Sequence, residues 1–197
     1  MYHSIRIAMN LPNAITLLRL LATPLLIWLA WHGREQGFLW LLFACLISDV
    51  LDGFLARHLQ LQSELGSRLD SWADVAIYLS MPLCAWWLWP DLIRAELPWV
   101  LAVIASVALP ALAGLIKFGR TTSYHTWSAK AAAVGVAGSA LLMFAGGPVW
   151  PFRLATPLAA LAALEEIAIT CLLRETHSDI PSLWHLLRRR RAGRGGE

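Results

Sequence analysis

Two apolar runs, LWLLFACLIS at 39–48 and VAIYLSMPLCAWWLW at 75–89, bracket a segment that carries four aspartates, Asp49, Asp52, Asp70 and Asp74. The first two are three residues apart and the last two four apart, so on helices each pair shares one face. The flanking runs read as membrane spans. A carboxylate near a bilayer centre costs ~2.5–3.5 kcal/mol on insertion scales. Four of them cost on the order of 10 kcal/mol, as much as the whole stability of many domains. A chain can keep such a cluster only if something neutralises it. The segment's arginines, Arg57 and Arg68, are too few. Two divalent cations would balance four carboxylates in full. Hard oxygen donors suit Mg²⁺ or Mn²⁺, and two such ions close together clamp a phosphoryl group during transfer.

Composition agrees with a bilayer as solvent. Of 197 residues 58% are hydrophobic, and the mean hydropathy is +0.57. A soluble domain holds roughly 45–50% apolar residues. The expectation is one integral membrane domain over 1–197. The net charge of +3 is modest, and nucleic acid is not an expected partner. Cys45, Cys84 and Cys171 lie in apolar runs and are expected to be buried free thiols, with no disulfide framework. The first apolar run lacks a small-residue cleavage site and reads as a retained span.

The fold class expected is all-α: an integral membrane bundle of six transmembrane helices with a short N-terminal interfacial helix. The interfacial segment is 1–11. The spans fall at about 13–31, 38–57, 69–89, 98–117, 129–146 and 154–173. Loops are expected at 32–37, 58–68, 90–97 and 117–130, and the GGP at 146–148 breaks the fifth span. A basic tail, 175–197, carries RRRR at 188–191. Six spans put both termini on one side, with the 58–68 and 117–130 loops. That side collects Arg57, Arg68, Lys117, Arg120, Lys130, Arg174 and the RRRR run. Basic residues mark the cytoplasmic side, so termini and aspartates are expected at the cytoplasmic face of an inner membrane. The tail is suited to anionic lipid headgroups.

The aspartate segment reads D-x2-D-G-x2-A-R-x8-G-x3-D-x3-D, with eight fixed positions over twenty-six residues. This resembles the signature of the CDP-alcohol phosphotransferase family, and every signature position is filled. The stretch P-N-x2-T-x2-R-x4-P, from Pro12 to Pro24, resembles the N-terminal part of phosphatidylglycerophosphate and cardiolipin synthases. The resemblance implies a transferase that moves a phosphatidyl group from CDP-diacylglycerol to an alcohol and releases CMP. It implies two Mg²⁺ or Mn²⁺ per site, bridged by Asp49 and Asp70, with Asp52 on one ion and Asp74 on the other. Asp74 would also be the general base. It further implies a homodimer.

The same resemblance places the donor nucleotide near Pro12, Asn13, Gly53, Arg57 and Ser63. Gly53 offers close backbone approach, and Arg57 offers a fork for phosphate. The bland alternatives are a helix cap at Pro12–Asn13, a snorkelling Arg19 and an interface anchor at Arg57. Lys117, Arg120, His125 and Lys130 are candidates for the acceptor alcohol, against the alternative of plain positive-inside charge. The segment GRTTSYHTWSAK departs from the G-R-E followed by arginine of phosphatidylglycerophosphate synthases, which leaves the acceptor open. Glu165 and Glu166, inside the sixth span, have no role in this reading. Two other classes are compatible with membrane-borne aspartates. One is a UbiA-like prenyltransferase, which usually has two distant aspartate motifs. The other is a metal-cation transporter, which has no use for a nucleotide cradle.

Overall fold

The computed structural model describes residues 11–58, 76–77, 79–119 and 126–173, with side chains over 18–48 and in the later segments. The interfacial segment up to residue 10, the start of the third span and the basic tail lie outside the described residues. Within them every regular element is a helix. These are α1 (Leu11–Trp31), α2 (Glu35–His58), α3 (Leu79–Leu88), α4 (Pro90–Ala95), α5 (Leu97–Phe118), α6 (Trp127–Phe144) and α7 (Trp150–Leu172). The chain divides into two compact units, Met1–Ala95 and Glu96–Glu197.

The first unit is built on the α1–α2 hairpin. Gly33 makes the turn at a φ of 63°, a left-handed conformation that a Cβ resists. The buried positions of α1 are Arg19, Thr23, Leu26 and Ala30, and those of α2 are Phe38, Leu42 and Cys45. Both follow the alternating four- and three-residue steps of a helix–helix seam. Aromatic rings close the turn end. Trp31 meets Trp87 edge-on at 5.0 Å, and Phe38 meets Trp89 at 5.8 Å. The C-terminal end of α3 is thereby held beside the α1–α2 turn.

The loop expected at 90–97 is instead the short helix α4. Pro90 occupies its first position, where a missing N–H does no harm. Arg94 pairs with Asp91 at 2.9 Å on its exposed face and lies over the Trp86 ring.

In the second unit α7 packs against both α5 and α6. Glu96 and Arg153 join the starts of α5 and α7, and Lys117 joins their ends through the carbonyls of Thr170 and Cys171. These two helices therefore run parallel. The α6–α7 contact is made of small residues, Ala132 against Ala159 and Ala162. Outward, α7 presents Leu154, Leu158, Leu161 and Leu164, all more than half exposed. Small residues inside and leucines outside is the arrangement for close packing in hydrocarbon. Helices α5, α6 and α7 are long and apolar enough to cross a membrane, and the protein is a membrane protein.

The expected boundaries differ by a few residues from these helices. The fifth span ends at Phe144 because Gly146 takes a φ of 82°. A Cβ at Gly147 would stand 2.7 Å from the Leu142 carbonyl oxygen. Cys45 and Cys84 are buried as expected, but Cys171, in the last turn of α7, is exposed.

Candidate functional site

The first half of the aspartate motif rides on α2, which continues without a break from Glu35 to His58. Asp49, Asp52, Gly53, Ala56 and Arg57 occupy its last turns, far from the Gly33 turn. Positions 49 and 52 are separated by ~4.5 Å of helix rise and less than one turn. An unbroken helix there keeps both carboxylate-bearing positions on one face, the geometry that a pair of cations needs on one side. The side chains of 49–58 lie outside the described residues, as do Asp70, Asp74, Ser63, Arg120 and His125. Among the described residues, no three or more of His, Cys, Asp and Glu gather as a metal site.

Pro12 and Asn13 sit in the first turn of α1, and the helix starts at Leu11, two residues earlier than expected. Proline there lacks only an N–H that a helix start leaves unbonded in any case. Arg19, two turns along, does not snorkel. Its residue is 3% exposed, so the guanidinium is packed inside the unit rather than extended to an interface. Its carbonyl accepts a hydrogen bond from the Thr23 hydroxyl at 3.4 Å. Nothing in its spacing distinguished a buried arginine from a surfaced one; the periodic burial of Thr23, Leu26 and Ala30 on the same stripe does.

Two of the four basic acceptor candidates are described. Lys117 donates from Nζ to the Thr170 carbonyl at 2.9 Å and to the Cys171 carbonyl at 2.7 Å. It thus caps the C-terminal end of α7, where unpaired carbonyls and the helix dipole favour a cation. Lys130 holds its ammonium 5.8 Å from the centre of the Trp127 ring. Neither geometry brings these two cations together.

A polar cluster that sequence reasoning missed stands at the start of α6. Thr126 is fully buried and caps the helix by accepting from the Ala129 N–H at 3.2 Å. Its hydroxyl lies 2.9 Å from the Ser128 hydroxyl. Ser128 in turn donates to the Glu165 carboxylate. Glu165 therefore has a partner from the 117–130 segment. The cap signature, Thr126 ahead of an apolar helix, was visible in the sequence; the match to Glu165 was not.

The family model for CDP-alcohol phosphatidyltransferase matches residues 9–173. A relative from Aquifex aeolicus (strain VF5), a CDP-diacylglycerol–glycerol-3-phosphate 3-phosphatidyltransferase, is 36% identical over 66 residues. That match covers 34% of this chain and 37% of the relative. No solved structure matches the chain.

Proposed function

The chain belongs to the CDP-alcohol phosphatidyltransferase family, and from that premise we propose that it moves a phosphatidyl group from CDP-diacylglycerol to an alcohol, releasing CMP. The observation that carries this is the complete motif from Asp49 to Asp74 inside the matched region, with its first half on one unbroken helix. The family match favours it over a prenyltransferase or a cation transporter.

The donor set is four carboxylates, and hard oxygen donors fit Mg²⁺ or Mn²⁺. Asp49, Asp52, Asp70 and Asp74 would hold two such ions, which when bound supply charge stabilisation to a diphosphate and its leaving group. Gly53 leaves the nucleotide room at the helix surface. Pro12, Asn13 and Ser63 complete the nucleotide side, and Arg57 grips phosphate through its planar fork. The acceptor hydroxyl oxygen attacks the phosphorus that bears the diacylglycerol. Its proton goes to Asp74, and the bond from that phosphorus to the CMP oxygen breaks. Arg120 and His125, with Lys117 and Lys130, lie in the segment that would receive the acceptor.

The six-span bundle, with termini and site on the cytoplasmic face of an inner membrane, and the homodimer belong to this same reading. Three long apolar helices and the positive-inside distribution of Lys and Arg support it. The relative's name points to glycerol 3-phosphate as its own acceptor, whereas GRTTSYHTWSAK departs from that pattern. The test is CMP release by the purified protein in detergent, with Mg²⁺ or Mn²⁺ and CDP-diacylglycerol, over glycerol 3-phosphate, phosphatidylglycerol, inositol phosphate, serine and choline. Release that requires both the metal and one of these alcohols is expected. Release of CMP with none of them, or turnover of a prenyl diphosphate instead, overturns the proposal.

A further inference from the structure

Ala30, Leu26 and Thr23 on α1 and Phe38, Leu42 and Cys45 on α2 are all buried, and counting outward from the turn sets them in register as 30 with 38, 26 with 42 and 23 with 45. Residue numbers in each layer sum to the same value, as they must in an antiparallel hairpin. The turn fixes this register: the Gly37 backbone lies so close to Leu29 that an added Cβ would be 3.2 Å from the Leu29 Cδ2. The next layer up is position 19 with position 49. Arg19 is buried there, at 3% exposure. Its guanidinium is in electrostatic reach of the Cys45 thiol, one layer below position 49. The same alternating steps carry the α2 stripe on through 45, 49, 52 and 56. The described seam is apolar towards the turn and reaches the buried charge of Arg19 at its far end.

A buried arginine inside an apolar hairpin needs an anion close by. The acids of the adjoining layers are Asp49 and Asp52. We infer that Arg19 is a positioning residue, the protein's own counter-cation to the α2 aspartates, holding that pair in place within the seam when no metal is bound. This rests on the reading of those aspartates as cation ligands. A guanidinium and a dication compete for the same carboxylates. Each therefore matters more when the other is missing.

The experiment follows the apparent melting temperature of the purified full chain in detergent, once with EDTA and once with saturating Mg²⁺. The native protein is expected to melt higher with Mg²⁺. Arg19→Met is expected to lower the metal-free value by about 5 °C or more and to lose much less with Mg²⁺, so that its Mg²⁺-induced rise exceeds the native one. Arg19→Lys keeps the charge and is expected to restore most of the native metal-free value. Adding Asp49→Asn or Asp52→Asn to Arg19→Met removes the anion that lacks a partner and is expected to raise the metal-free melting temperature. The same double variants are expected to recover folded protein if Arg19→Met alone does not fold. Equal losses with and without Mg²⁺, or no recovery from either asparagine, overturn the inference and leave Arg19 a packing residue. A native protein that ignores both Mg²⁺ and Mn²⁺ overturns the metal reading, and this inference with it.

Discussion

Arg153 donates from Nε and Nη2 to the two carboxylate oxygens of Glu96, at 2.8 and 2.6 Å. The pair is bidentate, the strong and directional form of an ion pair. Glu96 is 3% exposed, while the Arg153 side chain is 47% exposed. The Glu96 carbonyl also accepts from the N–H groups of Trp99 and Val100, so the same residue starts α5.

The hydrogen bonds from Arg153 hold the Glu96 carboxyl below its ordinary range, with burial opposing them. A lowered folded-state value means the pair's contribution is complete above the ordinary glutamate value of ~4.3. It is lost as the pH falls through the lower folded-state value. Glu96→Gln is expected to lower the melting temperature at neutral pH and to flatten its fall between about pH 5 and pH 3. Thermal unfolding of both proteins across that range checks this; parallel curves would remove Glu96 from acid sensitivity.

Lys117 has little left to offer a substrate. Two N–H groups of Lys117 are committed to the carbonyls of Thr170 and Cys171. Lys117→Met is expected to cost about 1 kcal/mol of stability, while Arg120→Ala is expected to raise the acceptor KM more than Lys117→Met does. Steady-state kinetics on the preferred alcohol, alongside thermal unfolding, separates the two effects.

Asp74→Asn is expected to reduce CMP release by at least ~10²-fold, the usual span for losing a general base. Its elution and helical content should stay native, because asparagine keeps the shape. Turnover near the native rate would take Asp74 out of the base role.

Ala159 lies in the small-residue contact between α6 and α7, while Leu161 points outward. Ala159→Leu is expected to destabilise the unit by ~1–3 kcal/mol through overpacking. Leu161→Ala is expected to stay within ~0.5 kcal/mol of native. Melting curves of the two variants in the same detergent check that the leucines face lipid and the alanines face protein.

The spacing of the aspartates, their glycine and their arginine is a property of the covalent chain, and it was legible without coordinates. So were the apolar runs, because a hydrocarbon solvent selects for length and composition, both of which a sequence displays directly. The segment 90–95 is a helix where a loop is expected, with Pro90, Asp91 and Arg94 at helix-favouring positions. Partnerships across helices were not legible. Whether Arg19 reaches an interface or enters a seam depends on which face of α1 meets α2. Whether Glu165 is stranded or bonded depends on α6 bringing Ser128 to it. Lys117, 53 residues from Thr170 in sequence, finds a helix end only because α5 and α7 run parallel. Sequence determined which groups the bilayer makes costly, since that follows from residue type and span length alone. Tertiary structure decided which partners meet Glu96, Lys117 and Glu165, since hydrogen bonds and ion pairs act over a few ångströms between segments far apart in the chain.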